Sequence, residues 1–152
     1  MMSEIVLLLL MLLAHIVEDF HLQGKMADMK QKMWWAHMID DAIEDSDRRN
    51  GKKTIKDDSY YTFWDMRYKQ FGNDYIPVLI LHGFEWAVCV SIPVFFYTGF
   101  EPSMGYVLMV CVMAAVHSIV DHMKCNEMCI NLVVDQAIHM VQIAVLFAMA
   151  IA

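Results

Sequence analysis

The sequence predicts an all-α, polytopic membrane protein: a bundle of four transmembrane helices with a cytoplasmic, partly helical insertion between the first two. Three observations predict it. Hydrophobic types make up 59% of the 152 residues and charged types 19%, against roughly 45–50% and 25% in soluble domains. Mean hydropathy is +0.41. Of the 11 Lys and Arg residues, all but Lys124 lie between Lys25 and Lys69, so long blocks carry no positive charge. This pattern excludes a disordered chain, a secreted disulfide scaffold and a nucleic-acid-binding domain.

A helix needs about 20 mostly apolar residues to cross about 30 Å of hydrocarbon. Four segments qualify, at about 3–23, 75–97, 104–122 and 130–152. The first is expected to be an anchor and not a cleaved signal. Met1-Met2-Ser3-Glu4 has no basic residue, and the segment ends in Glu18-Asp19 instead of an Ala-x-Ala pattern.

Lys and Arg in short loops stay cytoplasmic. With four spans, all eleven fall on one side: Lys124 in the third loop, the rest in the first. Both termini are then expected on the extracytoplasmic side. The insertion, 25–74, carries as many acidic as basic residues, which argues against a phosphate-tracking surface. Residues 30–47 have helical character, with Met33, Trp34, His37, Met38 and Ile39 near one face. Tyr60-Tyr61-Thr62-Phe63-Trp64 is aromatic, and Trp and Tyr favour the headgroup level. Asn50-Gly51-Lys52-Lys53 between them reads as a turn. Cys89 and Cys111 fall inside spans, where a thiol acts as a small hydrophobe. Cys125 and Cys129 lie on the reducing side, where a disulfide is not expected.

Ionisable groups inside spans are costly and mark function. Here they are numerous: His15 and Asp19, His82 and Glu85, His117 and Asp121, Asp135 and His139. Three of these pairs have i,i+4 spacing, which puts both side chains on one helix face. Spans one and three run towards the cytoplasm and read His-x-x-x-Asp; span four runs away from it and reads Asp-x-x-x-His. All three therefore present Asp nearer the cytoplasm and His deeper. Counting inward at 1.5 Å per residue, Asp19, Asp121 and Asp135 lie about 5–8 Å deep and His15, His82, His117 and His139 about 10–13 Å deep.

Four imidazoles over three carboxylates at one level in a bundle describe a transition-metal site. These ligand types suit Zn, Fe, Mn or Co, and the absence of sulfur ligands argues against Cu(I) or an iron–sulfur cluster. Seven candidate ligands exceed one tetrahedral ion and suit two ions about 3.5–4 Å apart sharing a carboxylate. The expected cofactor is one or two divalent transition ions, with Zn first and Mn or Fe next. The competing reading is a set of interhelical hydrogen bonds. His82 is open as a ligand or an outer-shell residue, and Glu85 as a ligand, general base or outer-shell partner. Gln23 and Gln136 are expected to orient ligands or substrate. Glu18, adjacent to Asp19, is expected to point to a helix neighbour, and His21, His37 and His122 to sit at the surface.

These residues resemble a known family. His15-Ile16-Val17-Glu18-Asp19-Phe20-His21-Leu22-Gln23 resembles the opening His-x-x-x-Asp-Phe-x-x-Gln motif of domain-of-unknown-function family 3307, small integral membrane proteins of bacteria and phages. Met26-Ala27 and Lys30 resemble its following positions, and His82 its second-helix His. His117-Ser118-Ile119-Val120-Asp121-His122-Met123-Lys124 resembles its His-x-x-x-Asp-x-x-Lys motif, and Asp135-Gln136-Ala137-Ile138-His139 its Asp-Gln-x-x-His motif. Trp86 stands where the family often has a second polar or aromatic residue, and the insertion is longer than the family's. The resemblance covers all four spans. It implies a bacterial inner-membrane location and no established activity; the likeness in style to membrane-bound metal-dependent hydrolases is analogy.

The expected function is an integral-membrane metal-dependent hydrolase opening to the cytoplasm. His15, Asp19, His82, His117, Asp121, Asp135 and His139 are the expected metal ligands. Glu85 or a spare Asp would handle the proton, and Lys124 at the membrane surface would hold a phosphate. The expected partners are the lipid bilayer and a small anionic or lipid-like substrate such as a phosphoester; a homo-oligomer stays open. Two alternatives stand beside it: a metal- or proton-handling transporter, and a phage- or host-encoded interaction protein acting through the 25–74 loop.

Overall fold

The computed structural model describes residues 2–152. The described residues form seven α-helices and no strand: α1 (Glu4–Val17), α2 (Met26–Met29), α3 (Lys32–Arg49), α4 (Asp58–Phe71), α5 (Tyr75–Tyr97), α6 (Met104–Cys125) and α7 (Leu132–Ile151). A π-helical turn, Glu18–Leu22, continues α1. Four helices are long and apolar enough to cross a membrane: α1 with its π turn, α5 (in a run that includes α4), α6 and α7.

Helix starts follow capping chemistry, in which a short polar side chain satisfies an orphan N–H. Ser103 accepts from Tyr106 N at 3.1 Å and Asn131 from Val134 N at 3.0 Å. The Asn131 cap starts α7 two residues after the position expected from hydropathy alone. At the other end of that loop, α6 continues through Lys124 to Cys125, three residues past the expected 122. Apolar content does not report a polar last turn.

The 25–74 segment is more regular than its composition indicates. Past Gly24, which has φ +48°, the short α2 leads into α3. Asn50 ends α3, and Gly51 makes the turn with φ +68°. Asp57 caps α4, accepting from the Ser59 and Tyr60 amides at 3.0 Å each. The Ser59 hydroxyl and the Tyr60 amide hold the Asp57 carboxyl below its usual range. α3 and α4 form a hairpin joined by buried Ile39 and Tyr60, whose hydroxyl donates to Asp40. The aromatic stretch 60–64 lies within α4.

The four long helices enclose one core: Leu7 and Met11 of α1, Trp86, Val90 and Val94 of α5, Tyr106 and Met113 of α6, Ile143 and Leu146 of α7. Their outer faces are also apolar, with Leu9, Ile80, Phe84, Leu108, Ile119 and Val141 all exposed. Meanwhile His15, His82, His117, Asp121, Asp135 and His139 are buried. Polar inside and apolar outside reverses the soluble arrangement.

Gly83 sets the tightest helix pair. A Cβ there would collide with Ser118 Oγ and stand 2.6 Å from Ala114 O. Small residues at such a crossing let backbones approach closely. Ser118 Oγ donates to its own helix at Ala114 O (2.9 Å) and sits 3.2 Å from Leu79 O of α5. This contact brings His82, next to Gly83, against His117, next to Ser118.

Candidate metal centre

The polar side chains of the four long helices meet in one buried cluster. Its centre is Asp121. On one side, Asp121 Oδ2 stands 3.2 Å from His82 Nε2 and 3.9 Å from His117 Nε2. Asp19 Oδ1 completes that side, 3.7 Å from His82 Nε2 and 4.0 Å from His117 Nε2. On the other side, Asp121 Oδ1 is 3.6 Å from His139 Nε2, which is 3.3 Å from Asp135 Oδ1. Two triads have donor atoms close enough for one ion, Asp19–His82–His117 and His117–Asp121–His139. The two triads share His117; donors around a tetrahedral zinc stand about 3.3 Å apart, so each triad comes near the spacing of a metal shell.

The proton inventory points the same way. Gln142 Nε2 is committed to Met113 O at 2.9 Å, so Gln142 Oε1 accepts from His139 Nδ1–H at 2.9 Å. That fixes the tautomer and leaves the His139 Nε2 lone pair facing inward. His139 Nε2 and Asp135 Oδ1 are both buried without a hydrogen-bond partner. Two acceptors 3.3 Å apart repel unless a proton or a cation lies between them. His82 Nε2 and His117 Nε2 meet at 3.2 Å, the distance of one hydrogen bond between the rings. Buried polar atoms are normally satisfied, and a cation or a shared proton between His139 and Asp135 would satisfy this pair.

Outer residues orient the donors. Glu18, 2% exposed, places Oε1 3.2 Å from His82 Nδ1, though off the angle of a full hydrogen bond. A carboxylate behind a His is the usual support for a metal-binding imidazole. Trp86 lies under the cluster, stacked on His117 with ring centroids 4.4 Å apart. Gln23 donates to Asp19 Oδ1 at 2.9 Å, and Gln136 to Asp19 Oδ2 at 3.0 Å and Asp135 Oδ2 at 3.1 Å.

Compared with family models, curated proteins and solved structures, the chain matches none.

Of the residues expected as ligands, Asp19, His82, His117, Asp121, Asp135 and His139 stand together with donor atoms inward. His15 is buried beside them, but both its ring nitrogens are engaged. Trp86 Nε1–H donates to Nδ1 at 2.8 Å, so Nε2–H faces Gln136 Oε1 at 3.0 Å. It therefore orients Gln136 and presents no free lone pair. Glu85 is not in the cluster. It is exposed on the outer face of α5, because the buried stripe of that helix passes from His82 to Trp86 and leaves position 85 outside. Lys124 lies at the edge of the cluster, where its Nζ pairs with Asp135 Oδ2 at 2.7 Å. His21 and His37 are exposed, and His122 is half-buried against Tyr75 and Glu127.

Two members of the site go beyond the sequence reading. Glu18 reaches His82 because the π turn begins at Glu18 and alters the angle between it and Asp19; wide turns of this kind recur at functional sites. Lys30, 5% exposed, places Nζ 2.5 Å from Asp121 Oδ2. Its place in the resemblance to the family was the only signal for it, since spacing does not connect a residue between α2 and α3 to a carboxylate on α6.

Proposed function

We propose that this protein is an integral-membrane, metal-dependent hydrolase whose centre opens to the cytoplasmic side and acts on a phosphoester or lipid-like substrate. The observation that carries the reading is the division of Asp121: its two oxygens face two separate sets of inward donors. Asp19, His82, His117 and Asp121 would hold one ion, and Asp121, Asp135 and His139 a second. Zinc is the first choice for such imidazole and carboxylate donors, with manganese or iron next. When bound, such ions supply Lewis acidity and lower the pKa of water towards about 7.

The chain's own residues do the rest. Glu18 and Gln142 keep the rings of His82 and His139 turned inward. Trp86 and the apolar core behind it exclude water from the far side. With Glu85 outside the cluster, the proton falls to a carboxylate oxygen not used in ligation. Asp19 Oδ2, already held by Gln136 Nε2, is the best placed.

The same apolar core weighs against a conduit for metal or protons. Beyond Gln142, the bundle interior consists of residues such as Leu7, Met11, Val90, Val94 and Leu146. A relay needs polar partners in both halves. The location follows from composition: an exposed apolar surface around a buried polar layer suits lipid, and the clustered Lys and Arg residues suit a cytoplasmic loop. The resemblance to family 3307 supports the bacterial inner membrane as that location.

A specific observation also favours an interaction role for the α3–α4 hairpin. It carries an open groove of about 860 Å³ with Met38, Ile43, Ile55 and Phe63 in its lining. Two variants separate the readings. Hydrolysis of a phosphoester panel by purified protein should require added metal and vanish in Asp121→Asn, while deletion of the hairpin leaves the metal bound. A biological effect that survives Asp121→Asn but not hairpin deletion would favour the interaction protein.

A further inference from the structure

We propose that Lys30 is a built-in counter-cation. It holds the place of a metal ion on Asp121 and, once displaced by metal, binds a doubly charged phosphate-type oxyanion together with Lys124. This rests on reading the cluster as a metal centre.

The first observation is competition for one atom. Lys30 Nζ is 2.5 Å from Asp121 Oδ2, the same oxygen that stands 3.2 Å from His82 Nε2 and belongs to the first donor set. An ammonium and a divalent ion cannot share that oxygen closely without strong repulsion. The second is mechanical. The backbone around Lys30 is clamped to the end of α6: Asn126 Nδ2 donates to Lys30 O at 3.1 Å, and Asn126 Oδ1 accepts from Lys32 N at 2.6 Å. The clamp holds the backbone and not the four-carbon side chain. An ammonium on such a stem is a mobile point charge, so displacement moves the charge and not the chain.

The third observation is the charge balance. Four carboxylates, Glu18, Asp19, Asp121 and Asp135, surround the cluster, and two ammonium groups, Lys30 and Lys124, pair with two of them. With neutral imidazoles, two negative charges remain. One divalent ion balances them. A second leaves two positive charges with two lysines beside them, which is the environment a phosphate-type dianion matches. A free phosphate ester and a phosphomonoester lipid headgroup share that chemistry.

The test uses full-length protein in detergent or nanodiscs, with zinc alone and then inorganic phosphate as probes. Lys30→Met, which keeps the length and removes the charge, should bind zinc at least about tenfold more tightly than wild type. The zinc-loaded variant should bind phosphate at least about tenfold more weakly. Lys30→Arg should retain phosphate binding. Zinc bound no more tightly by Lys30→Met overturns the displacement, and unchanged phosphate affinity overturns the oxyanion role. Wild type that binds no zinc overturns the metal centre itself, a different result from either. Nanodiscs containing phosphatidate form a separate arm. Lys30-dependent, zinc-dependent binding there assigns a lipid headgroup; dependence with phosphate alone assigns a soluble ester. If Lys30→Met does not fold, wild type still decides. Reductive methylation of Lys30, followed by mass spectrometry, should be slow without zinc and faster with it, and equal rates overturn the displacement.

Discussion

His139 Nε2 faces Asp135 Oδ1 at 3.3 Å, one helical turn away on α7, and neither atom has a hydrogen-bond partner. Gln142, the next turn on, creates this arrangement by accepting a hydrogen bond from His139 Nδ1–H. Gln142→Leu should therefore release the ring while leaving the ligand atoms in place. The expected outcome is a loss of about 10–100-fold in metal affinity, read by competition with a chelating dye. Unchanged affinity would mean that Gln142 serves only the backbone of α6.

The Gly83–Ser118 crossing sets the distance between His82 and His117. Gly83→Ala is expected to destabilise the fold by about 1–3 kcal/mol through overpacking, seen as a lower unfolding midpoint in detergent. Adding Ser118→Ala should recover only part of the loss, because Ala114 O still meets the new methyl group.

Lys124 and Asp121 should behave differently. Lys124→Ala frees Asp135 Oδ2 and leaves every donor atom in place, so metal content should hold while handling of anionic substrate weakens. Asp121→Ala removes the carboxylate common to both donor sets, so both ions should be lost. Metal content of the two purified variants separates these roles.

The helices and most of the donor set were legible in the sequence because they depend on local periodicity. Apolar runs mark the long helices, and i,i+4 spacing marks one face. Lys30 and Glu85 depart from that reading for other reasons, and Glu18, which turns to a neighbouring helix as expected, does so behind His82. Lys30 reaches its partner from outside the long helices, held there by Asn126 of the α6 cap, a tertiary contact with no periodic signal. Glu18 depends on a π turn that ideal helix geometry does not contain. Glu85 is a candidate ligand, base or outer-shell partner from its spacing to His82, but Trp86 takes the inward place one residue on.

Topology has its own test. In the proposed orientation, Cys129 lies in the cytoplasmic loop between α6 and α7, and it is exposed. A membrane-impermeant maleimide should label Cys129 in inside-out vesicles and not in intact spheroplasts, while a tag after Ala152 is cleaved only from outside. The opposite pattern would invert the membrane orientation and turn the centre to the other side.

Elemental analysis of wild-type and Asp121→Ala protein, purified without chelators, tests the metal centre most directly. The expected result is one to two transition ions per wild-type chain, zinc first among them, and none in Asp121→Ala. Fewer than about 0.5 ions per wild-type chain, when folding itself provides the ligand shell, or equal metal in the variant, would contradict it.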